Sequence, residues 1–217
     1  MPESRSANLR RVASIYDDIA PTWDRQAGLA ERWLIGTSIR KALGKQLRGD
    51  VLEIGTGSGS TLPYVTFGDS AVQSFTGTDL SPGMLNQIAF PDSRVRLAQM
   101  SADRLAFPDQ TFDVVTCSLV LCTVPDPERA LREMSRVCKS DGRMVLLEHV
   151  LARNPLIAWL QRKMSPAQER LLGCHLDRQT DRLVRDLGFE LISERRRLFG
   201  IFVLSVARPV VGDARAA

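Results

Sequence analysis

The chain has 217 residues, of which 44% are hydrophobic and 25% are charged, a balance typical of one globular domain with a substantial core. It contains no apolar run close to the ~20 residues that cross a bilayer, and its first residues lack the apolar stretch of a secretory signal. A net charge of +4 with 6% aromatic residues does not indicate a nucleic-acid interface. We therefore expect a cytoplasmic protein that binds no nucleic acid.

The cysteines, at positions 117, 122, 138 and 174, form no CxxC pair and match neither a zinc motif nor a secreted disulfide framework. We expect free, buried thiols and no metal. The alternative is a thiol site built from Cys117, Cys122 and Cys174, which would bind a soft species such as trivalent arsenic or mercury.

The first part of the chain has a helical pattern over 8–47. Apolar residues recur there at spacings of three and four: Leu9, Val12, Ile15 and Ile19. Pro21 is predicted to interrupt the first helix, and a second helix is predicted over 30–47, ended by Gly49 and Asp50.

From residue 51 onward, predicted strands alternate with predicted helices. The strands cover 51–54, 74–78, 94–98, 113–118, 143–148, 190–195 and 201–207. Helices are predicted after Ser81-Pro82 and over 127–139, 155–172 and 177–187, with Asp141-Gly142 and Gly188 as stops. This order predicts an α/β, Rossmann-like fold: a seven-stranded, mainly parallel sheet with helices on both faces and a C-terminal antiparallel hairpin.

The strongest functional signal is the glycine-rich turn after the first strand, with glycines at 55, 57 and 59. Glycine lets the backbone bend sharply and approach a ligand closely. Asp79 ends the second strand, where a carboxylate can accept hydrogen bonds from both hydroxyls of a ribose. Because Ser60 stands where a dinucleotide fingerprint needs Gly or Ala, the pattern favours a nucleoside other than a nicotinamide dinucleotide.

The run Glu53-x-Gly55-x-Gly57-x-Gly59 resembles motif I of class I S-adenosylmethionine-dependent methyltransferases. That resemblance implies S-adenosyl-L-methionine as cofactor and S-adenosyl-L-homocysteine as product. The cationic sulfonium and the α-amino group of this cofactor favour a nearby carboxylate such as Glu53. Thr56 and Leu80, beside the glycines and Asp79, complete this part of the expected cofactor site.

Three further segments extend the resemblance over about residues 14–150. Ala102 and Asp103 lie in the segment that the family places against the adenine amine, and Cys117 and Ser118 follow along the methionine end. Tyr16 and Trp23 lie in a segment similar to the YDxxAxxYD motif of ubiquinone/menaquinone-type methyltransferases, which folds over the cofactor; Trp23 stands where Tyr is usual.

The segments 119–124, 147–150 and 173–180 resemble the methyltransferase-like family that contains membrane-associated alkyl thiol methyltransferases. The resemblance implies a small-molecule acceptor, with a thiol favoured. The alternatives are O-, C- or N-methylation of a natural product, a quinone or a phospholipid amine. Contact with a membrane surface is not favoured, because the chain lacks that family's apolar N-terminal segment, and the oligomeric state is left open. An NAD-dependent oxidoreductase and a non-catalytic cofactor-binding protein are the competing classes.

The two histidines of the chain are candidates for catalysis. His149 follows the fifth strand at the cofactor edge, and His175 precedes a helix that Asp177 is placed to cap. Either can act as a base or can position the acceptor, and the competing interpretation is a hydrogen-bonded structural histidine.

The predicted domain organisation is a single domain with three parts. Residues 1–48 form a helical cap over the cofactor, 49–208 form the methyltransferase core with 152–176 as an acceptor-side insertion, and 209–217 form a tail. The helix over 155–172 carries apolar residues that are expected to pack on the core, with pocket lining and membrane contact as alternatives: Leu156, Ile157, Trp159, Leu160 and Met164.

Overall fold

The computed structural model describes residues 5–26 and 35–210. Its centre is one seven-stranded sheet with the order β3-β2-β1-β4-β5-β7-β6. The strands are β1 (Gly49–Ile54), β2 (Val72–Asp79), β3 (Val95–Gln99), β4 (Phe112–Ser118), β5 (Cys138–His149), β6 (Leu191–Arg197) and β7 (Phe202–Ala207). The first five strands pair in parallel, and β7 pairs antiparallel with both β5 and β6. The predicted α/β fold and its C-terminal hairpin are confirmed.

Seven α-helices are described: α1 (Arg5–Ile19), α2 (Trp23–Gln26), α3 (Thr37–Gly44), α4 (Pro82–Leu85), α5 (Pro127–Val137), α6 (Pro155–Leu172) and α7 (Thr180–Asp186). Short 3-10 turns cover Ala20–Thr22 and Leu62–Tyr64. The helix α6 has the predicted bounds, because Asn154 caps its start through Leu156 N and Ile157 N and Gly173 ends it with a left-handed φ of 66°. Within the described ranges, no helix combines the length and the apolar character that a bilayer crossing requires.

The N-terminal helices differ from the prediction. Pro21 lies in a 3-10 turn after α1, as an interruption of the helix there requires. The helix expected over 30–47 is wrong in its bounds, since α3 begins at Thr37 and ends at Gly44. Gly36 has a φ of 78°, which a right-handed helix excludes, and Gly49 begins β1 instead of ending a helix. Residues 27–34 lie outside the described residues.

The predicted stop at Asp141-Gly142 is also wrong, because α5 ends at Val137 and β5 starts at once with Cys138. The pairing moves from Phe112 opposite Cys138 to Val114 opposite Arg143, so residues 139–142 are looped out of the ladder. Gly142 fits this loop because a Cβ there would lie 2.8 Å from the backbone oxygen of Asp113.

The helix α7 starts three residues later than predicted, because the Asp177 carboxylate has another partner. Its Oδ1 accepts a hydrogen bond of 2.6 Å from the Ser165 hydroxyl instead of capping the helix. The N-cap position of α7 is Gln179, which makes no side-chain capping bond.

Hydrophobic cores cover both faces of the sheet. On one face, α5 packs Leu131 and Met134 against β4 and β5, together with Val184 of α7. On the other face, α3 packs Ile39 and Leu43 against the sheet. Each such fully buried side chain contributes about 1.5–3 kcal/mol. Both faces are therefore covered, and the carboxyl ends of the parallel strands form the edge where a parallel α/β sheet binds its ligand.

Candidate active site

The turn after β1 has the open, left-handed backbone that its glycines predict. Gly55, Gly57 and Gly59 have φ values of 61°, 56° and 86°. A Cβ at Gly55 would lie 2.4 Å from Val120 Cγ2, whereas a Cβ at Gly57 would meet only Met84 Cε, at 3.6 Å. Space for a ligand therefore lies directly beside the Gly57 backbone.

Asp79, the last residue of β2, holds this turn in place. Its Oδ2 accepts a hydrogen bond of 2.9 Å from Gly57 N, and its Oδ1 accepts one of 2.9 Å from Ser81 N. Burial raises the pKa of the Asp79 carboxyl group above its ordinary value. Because a carboxylate has about four acceptor positions, Asp79 can also accept a hydrogen bond from a ribose hydroxyl. The turn and Asp79 thus fit an adenosine-containing cofactor.

A cavity of about 330 Å³ opens beside the turn and Asp79, within the usual size range of small-ligand sites. Eleven of the fifteen predicted site residues line it: Tyr16, Trp23, Gly55, Thr56, Gly57, Asp79, Leu80, Ala102, Asp103, Ser118 and His149. The other four, which are Glu53, Gly59, Cys117 and His175, lie outside the lining formed by the described residues.

Glu53 supports the turn from behind and does not face the cavity, contrary to the expectation that it meets the charged end of the cofactor. Its side chain is buried, and its Oε2 accepts a hydrogen bond of 2.6 Å from the Thr56 hydroxyl. Burial raises the pKa of Glu53 to about 7. Hydrogen bonds from Thr56 and Thr61 act against this rise and hold the carboxylate inside the fold.

Gly59 and Cys117, which also lie outside the cavity lining, contact other parts of the fold. A Cβ at Gly59 would lie 3.1 Å from Leu62 Cδ1, so this glycine allows the turn to pack on the core. Cys117 Sγ donates toward Glu148 Oε1 at 3.5 Å and is fully buried. Burial, followed by the charge of Glu148, raises the pKa of the Cys117 thiol.

His175 is half-buried, and it is not among the described residues that line the cavity. Its Nδ1 lies 3.6 Å from Glu169 Oε2, and its backbone N–H donates to Cys122 O at 2.9 Å. Burial, and then the charge of Arg178, lowers the pKa of His175 below its ordinary value.

The N-terminal helices close one side of the cavity. The rings of Tyr16 and Trp23 pack with their centroids 5.7 Å apart. Asp17 Oδ1 accepts hydrogen bonds from the Ser81 hydroxyl at 2.5 Å and from Gly83 N at 2.8 Å. These bonds attach α1 to the segment that follows Asp79.

Asp103 forms a second attachment for α1. Its Oδ2 accepts a hydrogen bond of 2.8 Å from Arg5 Nε and pairs with Arg5 Nη2, while its Oδ1 accepts one of 2.7 Å from Ser101. Burial alone would raise the pKa of Asp103, but the bonds from Arg5 and Ser101 outweigh it and hold the pKa below its ordinary value. The expected adenine-side residue therefore also fastens the N-terminal helix.

His149 lies at the far end of the cavity, with two cysteines that no sequence motif indicated as neighbours. Its Nε2 lies 3.1 Å from Cys174 Sγ, and Cys122 completes a group in which the ligand atoms all lie within 4.8 Å of one another. All three residues line the cavity, and His149 Nδ1 has no hydrogen-bond partner among the described residues. The alternative thiol site of the sequence analysis named Cys122 and Cys174, but the third member of this group is His149 and not Cys117. The sequence did not indicate the group because its members come from two loops and the end of β5.

The pKa values in this group shift together. The hydrogen bond with Cys174, followed by the effect of His149, lowers the pKa of Cys122 well below its ordinary value, and that hydrogen bond raises the pKa of Cys174. Burial alone would lower the pKa of His149, but the negative charge of Cys122 raises it to about 8. The end of the cavity therefore holds two cysteine side chains and one histidine side chain whose titrations depend on one another.

The segment after β4, which carries Cys122, is fixed by two charged side chains. Glu148 Oε1 accepts hydrogen bonds from Val120 N at 2.9 Å and Leu121 N at 3.0 Å. The Arg178 guanidinium donates to the carbonyl oxygens of Leu121 and Val124, both at 2.6 Å. These bonds hold the segment in a shape that includes a positive φ of 60° at Leu119.

The helix α6 does not pack its apolar residues on the core, so that prediction is wrong. Its buried residues are Ala158, Gln161 and Ser165. Four of the five apolar residues are exposed: Leu156, Trp159, Leu160 and Met164. Gln168 and Leu172, near the end of the helix, line the cavity.

A Rossmann-like sheet with a glycine turn and an acidic residue at its carboxyl edge defines an α/β protein that binds a nucleoside-containing cofactor. Residues 52–146 match the family model described as a methyltransferase domain. Over 152 residues, the chain is 33% identical to the phosphatidylethanolamine N-methyltransferase of Cereibacter sphaeroides, covering 67% of this chain and 72% of that relative.

Two further comparisons agree with this match. The chain is 31% identical to the ubiquinone/menaquinone biosynthesis C-methyltransferase UbiE of Citrifermentans bemidjiense, over 64% of this chain and 63% of that relative. The crystal structure of the cyclase SpnF superposes with a TM-score of 0.73 at 18% identity, covering 94% of this chain and 97% of SpnF, and shows the shared fold. The chain belongs to the class I S-adenosylmethionine-dependent methyltransferases, and its cofactor is S-adenosyl-L-methionine.

Proposed function

We propose that this enzyme transfers a methyl group to the thiol of a small, apolar molecule. The observation that carries the proposal is a single cavity with polar cofactor-binding groups at Gly57 and Asp79 and with His149, Cys122 and Cys174 at its other end. The apolar side chains that line the same cavity favour an apolar acceptor, and they include Leu9, Val12, Leu172 and Phe202.

In this proposal the residues divide by place in the cavity. Gly55, Thr56, Gly57, Asp79 and Leu80 hold the cofactor from the sheet, and Ala102, Asp103 and Ser118 contact it from the neighbouring loops. Tyr16 and Trp23 belong to the part of the cap, proposed as residues 1–48, that covers the cofactor. Residues 152–176 form the acceptor side; of the expected tail over 209–217, residues 211–217 lie outside the described residues.

The chemistry requires little of the protein beyond position. When bound, the cofactor supplies a methyl group on a positively charged sulfur. A thiol acceptor has to lose its proton and to lie in line with that methyl group, and holding it there accounts for roughly 7–11 kcal/mol of the barrier. In this proposal His149, which lines the cavity, orients the acceptor or, in its neutral form, accepts the proton; the products are a thioether and S-adenosyl-L-homocysteine.

The test is a screen of S-adenosyl-L-homocysteine release with matched panels of thiols, phenols, quinones and amines. Apolar thiols should give the highest kcat/KM. Turnover with another class and none with thiols would overturn the thiol assignment.

A histidine pair supplies the matched control for this screen. His149→Gln should lower kcat while the Kd for the cofactor stays the same, and His175→Gln should change neither, because His175 lies outside the cavity lining. Unchanged turnover in His149→Gln would remove this residue from the reaction.

A second candidate acceptor is a phospholipid amine at a membrane surface. The relative with this named activity supports it, and so does the exposed apolar side of α6, where Trp159 and Leu160 lie beside Arg162 and Lys163. An apolar stripe flanked by cations is typical of helices that lie in a lipid interface.

Flotation with anionic and with neutral vesicles tests this candidate. Binding to anionic vesicles that is lost in Trp159→Glu and kept in Phe199→Glu, an exposed aromatic outside the helix, would support it. Absence of flotation with either vesicle would exclude it.

A further inference from the structure

The group at the acceptor end of the cavity has the composition of a metal site. It offers two cysteine sulfurs and one imidazole nitrogen, and these ligand atoms lie within 4.8 Å of one another. Cys122, His149 and Cys174 are 1%, 8% and 8% exposed, so the group is largely shielded from solvent yet borders the cavity.

We propose that Cys122, His149 and Cys174 form a three-ligand site for a thiophilic divalent cation, zinc in particular, with its fourth position open to the acceptor cavity. A set of two cysteines and one histidine with an open position is a known arrangement of catalytic zinc. The soft sulfur donors select against magnesium and calcium, which prefer oxygen.

The geometry requires only small adjustments. Bond lengths of about 2.0–2.3 Å place tetrahedral zinc ligands about 3.4–3.8 Å from one another. His149 Nε2 and Cys174 Sγ are already 3.1 Å apart, and the largest spacing in the group is under 4.8 Å. The spacings of the ligand atoms therefore differ from the tetrahedral values by about 1 Å at most.

The charges also balance. Two thiolates and one divalent cation sum to zero, so binding displaces the protons that the three side chains hold and leaves the group with no net charge. The expectation of no metal came from the spacing of the cysteines in the sequence, whereas the fold brings Cys122 and Cys174 together from two separate loops.

An acceptor thiolate is a suitable fourth ligand for the cation, so the site would bind the acceptor of the proposed reaction. This part of the inference rests on the proposed function. Cation binding itself does not depend on methyl transfer. The two ideas can therefore fail separately: cobalt binding without thiol turnover would sink only the thiol assignment, and thiol turnover without cobalt binding would sink only the metal site.

The experiment uses the reduced full-length protein, titrated with Co²⁺ under anaerobic conditions without methyl donor. One equivalent should bind and give thiolate-to-cobalt charge-transfer absorption with the intense d–d bands of tetrahedral coordination, and Zn²⁺ should displace it. Cys122→Ala and Cys174→Ala should lose the charge-transfer bands, while Cys138→Ala, which removes a buried thiol elsewhere, should keep them.

Two results would overturn the site. One is the absence of cobalt absorption in the parent protein. The other is an unchanged spectrum in Cys122→Ala and Cys174→Ala. Circular dichroism of each variant identifies a failure to fold. If both cysteine variants unfold, the test passes to His149→Gln, which replaces the nitrogen ligand and keeps both thiols. This variant should bind Co²⁺ at least tenfold more weakly than the parent protein, and an unchanged affinity would count against the site.

Discussion

Alanine substitutions at three glycines separate backbone strain from ligand contact. Gly57 and Gly188 both have positive φ, 56° and 82°, and a Cβ at either meets no close protein atom. A left-handed alanine costs about 1–2 kcal/mol, and the stiffer unfolded chain offsets about 0.4–1 kcal/mol of this. Each variant should therefore lose about 1 kcal/mol of unfolding free energy, as measured by urea denaturation.

Only one of these two substitutions should change cofactor affinity. The Cβ of Gly57→Ala would occupy the space beside the backbone that the cavity leaves for the ligand. We expect its Kd for S-adenosyl-L-methionine to rise at least about tenfold, equivalent to about 1.4 kcal/mol, while Gly188→Ala keeps the parent value in calorimetry. Equal affinities in the two variants would refute the assignment of Gly57 to the cofactor site.

Gly55→Ala completes the series because its Cβ would meet protein. At 2.4 Å from Val120 Cγ2, the new atom requires Val120 to move, in addition to the strain of a φ of 61°. We expect a stability loss above about 2 kcal/mol, larger than at Gly57 or Gly188. A loss no larger than theirs would show that the Val120 contact is easily relaxed.

Three further substitutions test the supports of the site. The pKa of Glu53 is about 7 in the folded protein against an ordinary value of 4.5, so the folded state holds this proton more tightly than the unfolded state does. The unfolding free energy should therefore fall by about 3 kcal/mol as the pH rises from below 4.5 to above 7. Urea denaturation of Glu53→Gln at pH 5 and 8 should lack this fall, and an unchanged pH dependence would contradict the assignment. Arg178→Met removes both hydrogen bonds to the segment after β4. In steady-state kinetics the KM for the acceptor should rise at least about threefold while the Kd for the cofactor stays unchanged. An unaltered KM would argue against this role of Arg178. Asp17→Ala removes both hydrogen bonds that attach α1 to the segment after Asp79. Cofactor affinity measured by calorimetry should fall about threefold or more. An unchanged affinity would mean that this attachment of α1 contributes nothing to cofactor binding.

The sheet was largely predictable because local patterns and tertiary packing agree there. The strand β4 is apolar and β-branched, as a strand buried on both faces must be, and the glycine turn follows β1 directly. The N-terminal region was less predictable. Its periodic pattern ran through Gly36, which has a positive φ and where a Cβ would lie 2.8 Å from the Arg197 guanidinium, a contact that the sequence does not reveal.

The site was predictable where it is local in sequence and unpredictable where it is assembled from distant segments. Asp79 ends β2 and Gly57 follows β1. Because these strands are parallel in the predicted fold class, both residues were expected at the same edge of the sheet. The motif suggested that Glu53 faces the cofactor. In the structure its side chain points into the fold, where it accepts a hydrogen bond from the Thr56 hydroxyl. The meeting of Cys122 with Cys174 depends on a loop after α6, for which the sequence has no periodic signal.

Calorimetry of the purified protein with S-adenosyl-L-methionine, S-adenosyl-L-homocysteine and NADH tests the cofactor assignment most directly. We predict one site for each of the first two ligands and no binding of NADH, with binding of the first two lost in Gly57→Arg, whose side chain would fill the cavity beside the turn. Tight binding of NADH, or unchanged S-adenosyl-L-methionine affinity in Gly57→Arg, would contradict the account.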